Sequence, residues 1–462
     1  MKVNLSKIAE VCSGKIHFAS GEVTVTGVAI DSRQVQPGDL FVPIKGQRVD
    51  GHYFLGDAAK QGAVASFWEE ELPTESPVPL LKVDSTLKAL QTLGSWRRIE
   101  SRAQVVAVTG SVGKTSTKDL IVAVLRAKHV VLASKGNLNT EIGLPLNMIQ
   151  IEPETEYAVL EMGMRGPGQI AHLAEMAQPN IGVITNIGES HIELLGSKEA
   201  IAQAKGELLT ALPADGWAVL NGDDPYVVGQ AWRSQARVVY YGLGNGDVDY
   251  LVSAENLSQL PDGRIKFDLV VAGKKTRLTL PVPGKHNVIN GLAAAAVAHC
   301  VGMSIDEITA GLAQAKLTGM RCEVLQTPKG STVINDAYNA CYQSMAAGLD
   351  LLASMKRPDR RGVAVLGDML ELGPVSTEMH RRVGEYAAKS GVDLLITVGL
   401  KSREIARGAL AAGLPERSVL SFETTSQAQQ EVPALVSNND VVLVKGSRGM
   451  KLEEIVHALM EE

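Results

Sequence analysis

The stretch QVVAVTGSVGKTSTK, residues 104–118, decides the fold. Apolar residues run from Val105 to Val108 and stop at Thr109. Gly110, Ser111, Val112, Gly113, Lys114, Thr115 and Ser116 follow. An apolar repeat of helical period then begins with Leu120, Ile121, Val124 and Leu125. A strand, a glycine turn carrying a lysine and a hydroxyl, and then a helix is the arrangement that cradles a nucleotide phosphate. Backbone N–H groups at the helix start point at the anion, and the helix dipole favours it. In this reading Lys114 reaches the terminal phosphates and the Thr115 hydroxyl sits on magnesium. The strict pattern G-x-x-x-x-G-K-[ST] needs glycine where this chain has Val108, so an ordinary glycine turn is the competing reading.

Working outward, apolar runs at 130–133, 158–161, 181–186 and 218–221 alternate with helical patterns such as Ile170, Leu173, Ala174 and Ala177. Such alternation predicts a parallel sheet with helices on both faces. Ligands bind these sheets at the carboxyl ends of the strands. Glu161 follows YAVL there, and His191 lies just past ITNIG. A hydroxyl, a carboxylate and an imidazole on one edge make a candidate metal site. Magnesium prefers oxygen, so the histidine is an unusual ligand. Lys205, on the helix expected at 198–212, reads on pattern alone as a solvated lysine. Strands are expected at 238–242, 250–254, 265–271 and 276–280, the last pair as a hairpin flap. An alanine-rich helix follows Pro283-Gly284-Lys285-His286. Asn287 and Asn290 in its first turn can face a base edge or cap the helix.

The segment before this stretch reads as a small α/β unit, residues 1–84. It has a helix from Leu5 to Cys12 and strands at 23–30, 40–44, 63–67 and 80–84. Asp31, Ser32 and Arg33 end the first strand, where a diphosphate or carboxylate would suit the Arg33 fork. A structural Asp–Arg pair in a tight turn is the alternative. The central, nucleotide-binding unit spans 85–318. A third unit, 319–462, reads as a second doubly wound sheet without a glycine-rich phosphate turn. Its strands are expected at 323–326, 332–335, 363–366, 394–398 and 441–444. Polar clusters follow those strands at Asp336, Asp368, and Lys445 to Arg448.

Composition bounds the function. The 462 residues carry 45 basic and 51 acidic side chains, a net charge of −6, with no Lys/Arg run and 4% aromatic residues. That balance argues against nucleic acid as a partner. Four scattered cysteines without a C-x-x-C pair read as free thiols in a reducing compartment. No apolar run approaches a membrane span and the N-terminus is not a signal peptide. The expectation is a soluble, cytoplasmic monomer.

Read together, the motifs resemble the Mur ligases, the ATP-dependent amide ligases of peptidoglycan synthesis. DSRQVQPGDLFVPIKG (31–46) is similar to their uridine-binding N-terminal domain, and TGSVGKTSTK to their short phosphate loop, which also lacks the leading glycine. NLNTEIGLPL (137–146), LEMGMRGPGQI (160–170) and NIGESHIELLGS (186–197) are similar to the central ATPase domain. So are GKHNVINGLAAAA, the Arg321 segment and NDAYNA. GDMLELG (367–373) and VKGSRGMKLEEIV are similar to the Rossmann-like C-terminal domain of the branch that takes D-alanyl-D-alanine.

The resemblance implies an α/β chain of three domains. The first binds UDP-N-acetylmuramoyl-tripeptide, the second ATP and magnesium, the third the dipeptide. It implies that Lys114 and the loop amides of 110–116 hold the β- and γ-phosphates. Thr115 and Glu161 would bind one magnesium and His191 a second. Asn287 and Asn290 would approach the adenine, Asp336 the ribose, and Arg321 the phosphates. Lys205 aligns with a lysine that is carbamylated in several relatives, which would make it a metal ligand. Asp31, Ser32, Arg33, Gly46, Asn137, Asn139 and Thr140 would meet the UDP-substrate. Asp368, Lys445, Ser447 and Arg448 are placed at the dipeptide by position. A ligase adding the third amino acid and a non-catalytic nucleotide-binding homologue are the alternatives. The first usually carries Asp-Asn-Pro-Arg, which is absent here.

Overall fold

The computed structural model describes residues 1–19, 21–46 and 48–461. Three sheets follow one another along the chain, and a two-stranded antiparallel pair, Val3–Asn4 with Thr24–Val25, stands beside the first.

The central sheet has nine strands. Its spatial order runs Lys274–Leu280, Ile265–Val271, Tyr250–Gln259, Arg237–Gly242, Trp217–Asn221, Ile181–Ile184, Gln104–Thr109, Tyr157–Glu161 and Val131–Ala133. The last seven are parallel; the two at the other edge are antiparallel. Gln104–Thr109 lies between Tyr157–Glu161 and Ile181–Ile184, and a core covers each of its faces. Val106 and Val108 enter one core, with Leu120, Ile121 and Val124. Val105 and Ala107 enter the other, with Ile170, Leu173 and Leu208. A run of apolar residues without alternation is what burial on both faces demands.

The alanine-rich helix is Lys285–Cys300, and Ala293 to Ala298 have no exposed surface. Small side chains let it lie close against the helix Lys114–Leu125.

The N-terminal sheet runs Lys15–His17, Leu80–Lys82, Ala65–Trp68, Asp39–Phe41, Gly27–Ala29. The C-terminal sheet runs Glu323–Gln326, Thr332–Asp336, Val441–Lys445, Gly362–Gly367, Leu394–Val398, Val419–Phe422, parallel except at its first strand.

Several details differ from the sequence reading, the strand Lys15–His17 and the helices Thr86–Ser101 and Gly143–Ile149 among them. The strand expected at 23–30 is two, because Thr26 N–H turns aside to Gly38 O at 2.8 Å and the halves join different sheets. The hairpin Ile265–Val271 with Lys274–Leu280 is no flap. Phe267, Leu269, Val271, Leu278 and Leu280 are buried in the central core. The strand Val419–Phe422 and the helix Thr425–Leu435 were not anticipated; the helix holds Pro433, which masks its pattern.

Candidate active site

A cavity of about 1180 Å³ opens where the carboxyl ends of the central strands face the C-terminal sheet. Its floor is the glycine turn. Val108 is the fifth strand residue, paired beside Glu161 and Val183, so the turn starts only at Gly110. Gly110 has φ +149°, and a Cβ there would fall on the Thr185 hydroxyl. Gly113 has φ +81° and sits directly before the helix Lys114–Leu125 with no side-chain cap. The N–H groups of that first turn are left for an anion.

Sequence reasoning missed how the turn is held. Asn186 clasps Val112 like a backbone segment: its Oδ1 accepts from Val112 N–H and its Nδ2 donates to Val112 O, both at 2.9 Å. Thr185 Oγ1 donates to the same carbonyl at 2.7 Å. The polar residues following the apolar run IGVI were the available signal.

Thr115 Oγ1 donates to Glu161 Oε2 at 2.7 Å, and Asn139 Nδ2 to Glu161 Oε1 at 2.8 Å. Thr115 and Glu161 are buried. His191 starts the short helix Ile192–Leu195 in a left-handed conformation (φ +64°). Its Nδ1 is buried with no hydrogen-bond partner, although Glu371 Oε2 lies 3.3 Å away. Burial, with Lys114 and Lys205 nearby, pulls the imidazole down to about 4, so it is neutral at physiological pH. A buried carboxylate beside a hydroxyl, and a neutral imidazole with one ring nitrogen free of a proton, are a donor set that fits divalent cations.

Lys205 is not a solvated helix lysine. It is 1% exposed, and its Nζ donates to Gly110 O at 3.0 Å. Lys114 Nζ donates to the same oxygen at 2.7 Å. Burial lowers the affinity of both amines for their protons, Lys205 most, and Lys114 presses further on Lys205. Among the described residues, the hydrogen bonds of both amines go to carbonyls. Buried cations without a bonded counter-ion form a site that an anion relieves.

Asn290 lines the cavity and Asn287 does not. Asn287 Nδ2 donates to Pro283 O at 2.7 Å, and Asn290 Nδ2 to Asn287 Oδ1 at 3.0 Å. Thr117 Oγ1 donates to Asn290 Oδ1 at 3.1 Å. The chain ties the alanine-rich helix to the phosphate-turn helix, and neither amide caps the helix.

The C-terminal sheet supplies the opposite wall. Lys445, buried, donates to Asp336 Oδ2 at 2.5 Å and to Asn339 O at 2.9 Å, fixing one side chain against the other. The Arg321 guanidinium lies 4.1 Å from the Tyr338 ring centre and that of Arg448 6.0 Å from it. Ser447, Asn137, Asn139 and Thr140 also line the cavity.

Asp368 does not line the cavity: its Oδ1 accepts from Ser402 N–H at 2.7 Å beneath the wall. Asp31, Ser32, Arg33 and Gly46 are also elsewhere, in the N-terminal unit, the first three at a 3-10 turn just after the strand Gly27–Ala29. There Asp31 and Arg33 form a fork, Nε–Oδ1 2.9 Å and Nη2–Oδ2 2.7 Å.

Known proteins resemble this chain along its length. Residues 24–97 match the model of the Mur ligase family catalytic domain, 108–298 the Mur ligase middle domain and 320–448 the Mur ligase glutamate ligase domain. The chain is 40% identical over 464 residues to the UDP-N-acetylmuramoyl-tripeptide–D-alanyl-D-alanine ligase of Bacillus subtilis, covering 100% of this chain and 99% of that one. A MurF crystal structure from Acinetobacter baumannii superposes with a TM-score of 0.89 at 28% identity, covering 100% and 99% of the two chains. MurF of Thermotoga maritima, solved in complex with ADP, gives 0.81 at 27% identity, covering 95% and 98%.

Proposed function

The chain belongs to the Mur ligase family, and from that premise we infer that it joins D-alanyl-D-alanine to UDP-N-acetylmuramoyl-tripeptide at the expense of ATP. The observation that carries this reading is the correspondence with a D-alanyl-D-alanine-adding ligase over the whole chain, the wall opposite the phosphate turn included.

The chemistry is amide formation at a carboxylate. The terminal carboxylate of the tripeptide takes the γ-phosphoryl group of ATP. A C(O)–O–P bond forms, the bond to the β-phosphate oxygen breaks, and ADP leaves. The dipeptide amine then attacks the acyl carbon. The tetrahedral intermediate collapses with loss of phosphate, and the nitrogen gives up a proton. The physical obstacle is bringing two anions together. Lys114 and the amides of 110–116 hold the phosphates against the buried positive charge at Gly110 O. Arg321 and Asp336 contact the nucleotide from the opposite wall. Asn290 meets the base, with Asn287 holding it in place. Magnesium at Thr115 and Glu161, and a second ion at His191, would neutralise the approaching carboxylate and phosphate.

Lys205 is proposed to carry a carbamate. Burial favours the neutral form of this amine, the form that adds to carbon dioxide, and the product is an oxygen-donor anion in place of a cation. Asp31, Ser32, Arg33 and Gly46 would receive the uridine end of the substrate, with Asn137, Asn139 and Thr140 nearer its peptide. Lys445, Ser447 and Arg448 face the incoming dipeptide, and Asp368 supports their wall. In this division residues 1–84 hold the UDP-substrate, 85–318 ATP and 319–462 the dipeptide.

The enzyme would work in the cytoplasm, where ATP and nucleotide-linked precursors are made. Four free cysteines fit that compartment, and among the described residues no helix is long and apolar enough to cross a membrane.

The test is ADP release from purified protein. ADP should appear only when ATP, UDP-muramoyl-tripeptide and D-alanyl-D-alanine are all present. Equal rates with UDP-muramoyl-dipeptide and diaminopimelate or lysine would instead make it the ligase of the preceding step.

A further inference from the structure

The loop 368–373 of the C-terminal sheet is pinned residue by residue. Asp368 O accepts from Ser447 N–H at 3.0 Å. Met369 N–H donates to His380 Nε2 at 2.9 Å, and Leu370 N–H to Ser447 Oγ at 2.9 Å. His380 is itself fixed, its Nδ1 donating to Ser376 O at 2.7 Å. With three successive residues held, the next one projects. Glu371 has φ +59°, and its carboxylate crosses to the central sheet's loops, 3.3 Å from His191 Nδ1 and 3.4 Å from Arg165 Nη2.

The facing residue is held in the same unusual way. His191 also has a left-handed backbone, at φ +64°. Left-handed conformations cost a residue with a side chain free energy, and they persist where surrounding structure imposes them. The loops meet closely: a Cβ on Gly373 would lie 2.5 Å from Glu193 Cγ. The half-exposed Glu371 carboxylate is already within reach of the orphan Nδ1, and a rotation that brings the N–H into line with it completes a hydrogen bond.

We infer that Glu371 is the positioning residue for His191: it takes the Nδ1 proton across the sheet-to-sheet gap as a hydrogen bond, fixing the tautomer and leaving Nε2 as the ligand atom for a divalent cation. A carboxylate behind a metal-bound imidazole orients the ring and raises its basicity. Here that carboxylate arrives from a different sheet, so the second metal position is complete only when the C-terminal unit is docked. The inference rests on the proposed role of His191 as a metal ligand.

A double-mutant cycle on the full-length protein tests it. Mn²⁺ binding is followed by paramagnetic resonance with a non-hydrolysable ATP analogue and UDP-muramoyl-tripeptide present. Glu371→Ala should weaken one Mn²⁺ by about tenfold or more, and Glu371→Gln, which keeps an acceptor oxygen, by less. In the His191→Ala background, Glu371→Ala should change nothing further. The same tenfold loss in both backgrounds, or an affinity in Glu371→Ala within twofold of the parent, overturns the inference. If His191→Ala itself leaves both Mn²⁺ affinities intact, the metal role proposed for His191 fails instead, and this inference with it. Thermal melting of the metal-free variants should match the parent, which separates positioning from a folding defect.

Discussion

At the scale of single residues, the two amines that share Gly110 O make opposite demands on the chain. Lys114 is proposed to hold phosphate, and replacing it removes charge from the floor of the cavity. Lys114→Ala should lower the rate of ADP formation by at least a hundredfold while leaving the affinity for the UDP-substrate nearly unchanged, since Asp31 to Arg33 lie in the N-terminal unit, away from the cavity. Calorimetry with the UDP-substrate alone reads the second quantity; loss of both would mean the division of labour is wrong. Lys205 has the stronger effect on stability. Its proton affinity is lower folded than unfolded, so the unfolded chain binds more protons. The parent's stability therefore rises with pH from the folded value toward the unfolded value near 10.4. Lys205→Met keeps the volume and removes that burden. At pH 7 in buffer freed of carbon dioxide, where the amine is unmodified, it should be more stable than the parent by on the order of 2 kcal/mol. Denaturant melts should show the gap narrowing as pH rises to 10, and the variant should be inactive. A less stable Lys205→Met would mean that an anion, such as a carbamate, already compensates the site in solution.

At the scale of elements, what the sequence reveals depends on how local the cause is. The strand Gln104–Thr109 and its helix are legible because a buried parallel strand and an amphipathic helix each write a period into neighbouring residues. Glu161 and His191 are legible as polar residues after apolar runs. Lys205 is misread from pattern because its burial is decided 95 residues away, at Gly110. Glu371 is not legible at all, since its partners Arg165 and His191 lie on another sheet. The helix-to-helix tie through Asn290 is likewise non-local. Asn290→Leu is nearly isosteric but leaves the Thr117 hydroxyl and the Asn287 amide oxygen without their partner. It should cost about 1–3 kcal/mol in urea unfolding and raise the KM for ATP more than it lowers kcat. An unchanged KM would remove Asn290 from the nucleotide site and leave it a packing residue.

At the scale of the molecule, the three sheets are joined unequally. The helix Thr86–Ser101 packs on Gly143–Ile149 so closely that a Cβ on Gly94 would lie 2.8 Å from Pro145 Cβ. Leu90, Leu93 and Ile149, from the central unit, are part of the N-terminal core with Leu5, Val25 and Leu81. The N-terminal and central sheets thus share apolar interior. The C-terminal sheet meets the central one around the large cavity, with polar contacts such as Arg165–Glu371. An acyl phosphate needs water kept out, which requires that cavity to close. The motion that closes it should run along the polar seam, because separating the apolar one would expose buried surface at about 25 cal/mol per Å². Hydrogen exchange with and without UDP-muramoyl-tripeptide and an ATP analogue locates the motion. Protection should rise at 188–196 and 368–373 on both sides of the gap. It should stay constant at 86–101 and 143–149, where Leu90, Leu93 and Ile149 are buried in the N-terminal core. Ligand-dependent change confined to 86–101 and 143–149 would put the hinge on the other side of the central sheet.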